Sequence, residues 1–141
     1  MKQITLVKLD AQGNELPAEA ADWVAVRVLE HGLIFTATHI NAEQASQEAL
    51  QEQVKELDLL GAKDWDLPTI EELQLLVDRS RYDPAINTDF FRNIESDWYW
   101  SKTPAAWSSA SAWCVSFSYG GVDDFHRYGG GFALAVRRAG Q

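Results

Sequence analysis

Cysteine is almost missing from this chain: Cys114 is the only one in 141 residues. A lone thiol forms no intrachain disulfide, so the fold is not one stapled for an oxidising compartment. It also excludes any cysteine-pair metal or redox centre built within the chain. Histidine is scarce too. His31, His39 and His126 lie far apart, and none has finger spacing to the cysteine. Basic residues are few, 12 against 21 acids, for a formal charge of −9. That balance repels phosphate backbones, sulfated glycans and anionic lipid surfaces, so direct nucleic-acid or membrane binding is not expected. No apolar run reaches the ~20 residues of a bilayer span. The opening Met1-Lys2-Gln3-Ile4-Thr5-Leu6-Val7 lacks the long apolar stretch of a signal peptide. The expectation is a cytoplasmic location, in a bacterial or phage-infected cell.

Apolar and aromatic residues are plentiful. Hydrophobic residues make up 46% of the chain, too many for a disordered one. The length suits one domain spanning residues 1–141. Six tryptophans are many for this size, and large aromatics either fill a core or line a recognition surface.

The pattern along the chain predicts strands, then two helices, then a run of short strands. Ile4 to Leu9 alternates weakly, and Asp10 to Asn14 is a turn cluster. Trp23–Leu29 and Leu33–Thr38 read as a hairpin broken at His31-Gly32. A first helix is predicted over Asn41–Leu60. Asn41 and Gln44 have capping-box spacing, Ala45, Ala49, Val54, Leu57 and Leu60 would form its inner face, and Gly61 would stop it. Glu43, Glu48, Glu52, Glu56 and Asp58 make it the most acidic stretch, either a contact surface or a solvated face. A second helix is predicted over Thr69–Arg79, capped by Thr69 with Glu72, its C-terminal end complemented by Arg79 and Arg81. Trp98–Ser101, Trp113–Ser118, Val122–Tyr128 and Phe132–Arg138 read as strands, with Gly120-Gly121 and Gly129–Gly131 as turns. This order predicts an α+β fold.

Several segments, in order, resemble one family. Asp64-Trp65-Asp66-Leu67-Pro68-Thr69-Ile70-Glu71-Glu72-Leu73 resembles the D-W-R-L-P-T-x-x-E-L signature of DUF1566 domains. Pro84-Ala85-Ile86-Asn87, Phe90-Phe91, Tyr99-Trp100-Ser101-Lys102-Thr103, Ala112-Trp113-Cys114-Val115-Ser116-Phe117 and Ala135-Val136-Arg137-Arg138 resemble its later segments. His31-Gly32-Leu33-Ile34-Phe35 sits where that family has T-G-L-M-W. The resemblance covers about residues 22–139. It implies a C-type-lectin-like fold, with two helices packed on short antiparallel strands, as at the end of the Legionella collagen-like adhesin. The wider superfamily includes formylglycine-generating enzymes and hypervariable ligand-binding proteins, which implies a constant frame with a changeable face. Two residues depart from the pattern. Asp66 stands for the usual Arg, so the charge of its partner is reversed or absent. Phe35 stands for Trp, a tolerable core exchange. The resemblance also implies that Trp100, Trp113 and Phe117 are structural.

No catalytic constellation emerges. Cys114 lies in an alternating strand and reads as a buried thiol, and one cysteine cannot build the copper site of formylglycine-generating enzymes. Ser101, Ser108, Ser109 and Ser111 have no evident base. Asp123-Asp124-Phe125-His126 offers oxygen and nitrogen donors, but such a run is more often a polar hairpin edge. Neither an E-P-N nor a Q-P-D triplet marks a lectin calcium site. No enzyme activity, cofactor or metal is therefore expected.

The expected function is recognition of a protein or neutral glycan. The expected face is Trp107, Tyr119, Asp123, Asp124, Phe125, His126, Arg127 and Tyr128, because aromatics and Arg dominate binding hot spots. An alternative is a small acidic phage-encoded inhibitor of a host defence protein, anti-CRISPR-like, presenting carboxylates where nucleic acid would bind. On that reading the acidic stretch at 41–60 is the working surface.

Overall fold

The computed structural model describes residues 4–138. Met1-Lys2-Gln3, read above for a leader, and Ala139, the last residue of the family resemblance, lie outside them. Strands dominate. β1 (Leu6–Leu9), β2 (Glu15–Leu16), β3 (Ala25–Val28), β4 (Leu33–Thr36) and β8 (Val136–Arg138) form an antiparallel sheet in the order β2-β1-β3-β4-β8. β5 (Trp98–Ala105), β6 (Ser108–Ser116) and β7 (Val122–His126) form a second, in the order β5-β6-β7. Among the described residues only α1 (Gln47–Lys55) and α2 (Ile70–Gln74) are α-helical, with nine and five residues. Among the described residues no helix is long and apolar enough to cross a membrane.

The expected α+β, C-type-lectin-like fold is therefore corrected. The chain is mostly β, two antiparallel sheets carrying two short helices. Much of the error lies in the helix lengths, and tertiary hydrogen bonds explain it. Asn41 does not cap a helix. Its side chain donates to the carbonyls of Glu43 and Gly131 and accepts from Ala133 N–H. Ala45 exchanges both backbone hydrogen bonds with Gly131, and its carbonyl also accepts from Trp100 Nε1. The segment 41–45 is thus held out of the helix, and the helix starts only after Ser46, whose hydroxyl accepts from Ala49 N–H. Its buried residues are Gln47, Leu50 and Val54; of the five predicted for the inner face Val54 is among them, and Ala49 is exposed. Beyond Glu56 the chain folds into a tight turn, with Leu60 and Gly61 both at positive φ and Leu59 bridged to Ala62. The second helix has the predicted Thr69–Glu72 capping box but ends at Gln74, so Arg79 and Arg81 lie past its last turn. Arg81 pairs with Asp78 and Asp89 instead.

The core follows the two-residue period of strands buried on both faces. Val26, Val28, Phe35, Tyr99, Val115, Phe117, Phe132 and Leu134 point one way, into a cluster shared with Leu73 of α2. Ala25, Ile34, Trp100, Cys114, Ala133 and Ala135 point the other way, into a cluster shared with Leu50 and Val54 of α1. The Asp66 departure resolves as a reversed charge. Its carboxylate binds Lys102 at 2.6 Å and Arg138 at 3.0 Å. Arg138 also forks onto both carboxylate oxygens of Glu72, tying β8 to the α2 cap.

Candidate functional site

Large apolar side chains left in solvent are the residues whose burial folding did not achieve, and they concentrate here. Of seven such residues among those described, Trp107, Tyr119, Val122, Phe125 and Tyr128 belong to the β5–β6–β7 unit; only Leu29 and Tyr82 lie elsewhere. The sheet that carries them is anchored from behind. At the β6–β7 turn Gly120 has φ 88°, and a Cβ there would stand 2.7 Å from Val77 Cγ1, so only glycine lets the turn press against the chain after α2. Ser118 and Phe117 carbonyls accept from Asp83 and Ala85 N–H on the same side.

The predicted residues do not form one patch. Tyr119 and Phe125 both meet Trp98, edge-on, at centroid distances of 6.3 and 4.7 Å. The Tyr119 ring lies across Gly121, where a Cβ would meet it at 2.2 Å. The ring is therefore seated although Tyr119 is 64% exposed. Trp107 sits in the β5–β6 turn and packs on Trp113 instead, at 5.4 Å. Trp113 is only half-buried, unlike the fully buried Trp100 and Phe117, so its structural assignment holds in part. His126 and Tyr128 stack at 4.9 Å just past the other end of β7.

Arg127 departs from the expected role. Its side chain turns toward α1, donating to Gln47 Oε1 at 2.6 Å and Gln51 Oε1 at 3.4 Å, while its carbonyl accepts from Gln47 N–H. Gln47 is buried and donates onward to Ser101 carbonyl. Arg127 therefore joins β7 to α1, and the two surfaces treated above as alternatives are adjacent. Glu48 of α1 and Ala110, His126, Arg127 and Tyr128 line one small pocket of about 90 Å³.

Asp123 and Asp124 are consecutive on a strand, so they point to opposite faces of the sheet. Asp123 accepts from the Asp124 N–H at 2.8 Å, and neither carboxylate has a salt bridge among the described residues. They lie opposite Cys114 and Trp113 on β6. Cys114 is buried, and desolvation, then the charges of Asp123 and Asp124, push its thiol pKa far up. A thiol so protonated is a poor nucleophile. Among the described residues no three His, Cys, Asp or Glu side chains gather as metal donors.

Two features escaped the sequence reading. Trp98, the platform for Tyr119 and Phe125, was legible as the residue two before Trp100, hence on the same strand face. A concavity larger than the one at Arg127 was not. It is a groove of about 930 Å³ between Ile4 and Leu6 and the segment after α2, lined by His31, Val77, Arg79 and Phe91 among others, and it contains none of the predicted residues. Ile4, the first described residue, is part of its lining, and the exposed aromatic unit is the better-defined candidate.

The fold and this surface define a β-rich domain that displays aromatic side chains from one small, firmly backed sheet. Residues 20–137 match the Lcl C-terminal domain family, and the chain belongs to it. The DUF1566-type signature agrees with that membership. Among curated proteins none matches the sequence.

Proposed function

We propose that this domain is a non-catalytic recognition module that binds a protein or neutral glycan through the β5–β7 unit and the adjoining face of α1. The observation that carries the reading is the concentration of exposed large apolar side chains on the three-stranded sheet. Such side chains, ringed by polar neighbours, mark interaction surfaces. The net charge of −9 favours neutral or basic partners over sulfated glycans.

Tyr119 and Tyr128 bracket β7, at 64% and 75% exposure. Neither is deep in the core, so Tyr119→Ala with Tyr128→Ala tests the surface with little effect on folding. Binding of the wild type and this double variant is measured on a neutral-glycan array and against a displayed peptide library. The expected result is a ligand bound by the wild type and weakened at least about tenfold in the variant, since a hot-spot truncation costs about 2 kcal/mol. Equal binding by both proteins, with unchanged melting, places the working surface elsewhere.

A further inference from the structure

Sheet edges are the places where a fold leaves backbone hydrogen bonds unmade, and most edges here are closed. Trp100 N–H donates to Phe132 carbonyl, Phe132 N–H to Trp98 carbonyl, and Lys102 N–H to Pro68 carbonyl, which covers the outer side of β5. Val136 and Asp66 exchange both their bonds, which covers β8. β2 is an edge of two residues. Among the described residues, β7 is the only strand longer than that with a bare outer side.

The parity of the ladder shows which groups are free. Ser116 N–H donates to Gly121 carbonyl at one end, and Arg127 N–H to Ala110 carbonyl at the other. Asp123 and Phe125, two and four residues on from Gly121, therefore face β6 with their backbone groups, and Val122, Asp124 and His126 face outward. Two of the six outward groups are occupied: Asp124 N–H by the Asp123 carboxylate, and His126 carbonyl by Gly129 N–H. The N–H and carbonyl of Val122, the Asp124 carbonyl and the His126 N–H are left.

We infer that β7 accepts an extended, basic segment of a partner protein as a fourth strand of the β5–β6–β7 sheet. This rests on the recognition reading and narrows it to a peptide ligand. Backbone pairing supplies affinity in such additions, and flanking side chains select the sequence. The flanks here are acidic and aromatic. An unpaired carboxylate stands on each face of the strand, Asp123 with Phe125 on one and Asp124 with His126 on the other. Glu48 lies by the His126 end, and Arg127, which lines the same small pocket, is engaged by α1. A second copy of this chain fits poorly. Antiparallel pairing of two β7 strands about their centres would set Asp124 against Asp124, between chains each carrying −9. Lysine or arginine at two adjacent positions of the incoming strand, whose side chains fall on opposite faces, meets the two carboxylates instead.

The test uses the whole chain and a displayed library of twelve-residue peptides with Lys or Arg at two adjacent central positions and the rest randomised. Selected peptides are synthesised with native amides, and again with alternate amides N-methylated in each of the two phases. Binding is followed by anisotropy, and amide exchange by NMR. The expected results are that one methylation phase weakens binding at least tenfold while the other does not. The Val122 and His126 amides should also exchange at least tenfold more slowly with peptide bound. His126→Pro, which removes an outward donor without touching the inner ladder, should weaken binding similarly. If that variant melts more than about 10 °C lower, the methylated peptides decide alone. Selection of no peptide, or binding indifferent to methylation phase and without amide protection, overturns the strand-addition inference. If Tyr119→Ala with Tyr128→Ala still abolishes glycan or peptide binding in that case, the broader recognition reading survives.

Discussion

Two acidic places in this molecule are built on opposite principles. At Asp66 and Glu72 every carboxylate is answered: Arg138 reaches both and Lys102 reaches Asp66, in a half-buried joint between β8, β5 and α2. Burial alone would raise both carboxyl pKa values, but the hydrogen bonds and charges of Arg138, with Lys102 at Asp66 and Thr69 at Glu72, outweigh it and hold both below their ordinary 3.8 and 4.5. At Asp123 and Asp124 no cation among the described residues answers, and the strand that carries them has no strand paired on its outer side among them. Charges satisfied within the chain assemble the frame. Charges left over, beside unspent backbone bonds and exposed rings, are free to meet something else.

The comparison is sharpened first by a control in the core that both regions share. Trp100 is fully buried between the sheets and α1, and its indole donates to Ala45 carbonyl. Trp100→Ala should cost about 3–5 kcal/mol, read by denaturant unfolding. A cost under about 1 kcal/mol would mean the two sheets do not depend on one another as drawn.

Arg138→Met should come next, at about 2 kcal/mol near neutral pH. It strips the shared partner from two half-buried carboxylates, and their partial exposure keeps the cost below that of a fully buried pair. The effect should depend on pH with a definite sign. Because the folded pKa values are lowered, the stabilisation is complete above the unfolded values and is lost as pH falls through the folded ones. The gap between wild type and variant should therefore be widest near pH 7 and shrink below about pH 4. A gap that is constant or grows in acid would show that Arg138 acts by packing alone.

Gly121→Ala should have a smaller effect on stability, about 1 kcal/mol or less, because the obstructing group is the movable end of a side chain. It should nonetheless displace the Tyr119 ring from Trp98, seen as a changed tryptophan fluorescence. An unchanged signal would mean the ring is not seated over the glycine. Asp123→Asn with Asp124→Asn should change stability least, within about 0.5 kcal/mol, since neither carboxylate has a charge partner to lose. A destabilisation above about 2 kcal/mol would place these residues in the frame and end the contrast between the two acidic places.

The family, both hairpins and the Thr69–Glu72 cap were legible in the sequence because each rests on short-range chemistry. Turn glycines, a capping pair and two-residue alternation act over a few residues and leave their mark there. The aromatic wealth of residues 107–128 was legible too, as composition.

What failed was decided by partners far away in the chain. Asn41-Ala42-Glu43-Gln44-Ala45 has the composition of a helix start, yet Gly131 and Ala133, some 90 residues on, hold it out of the helix. Arg127 belonged with the displayed residues by position, yet Gln47 and Gln51 draw its guanidinium onto α1. The open edge of β7 was invisible as well, since whether a strand's outer bonds are met depends on which segment the fold lays beside it. The sequence by itself determined roughly where most strands and turns lie, how residues alternate between faces, and the surplus of negative charge. Only the tertiary structure decided which polar groups found partners, because a hydrogen bond is satisfied by whatever packing brings within 3 Å, not by what stands next in the chain.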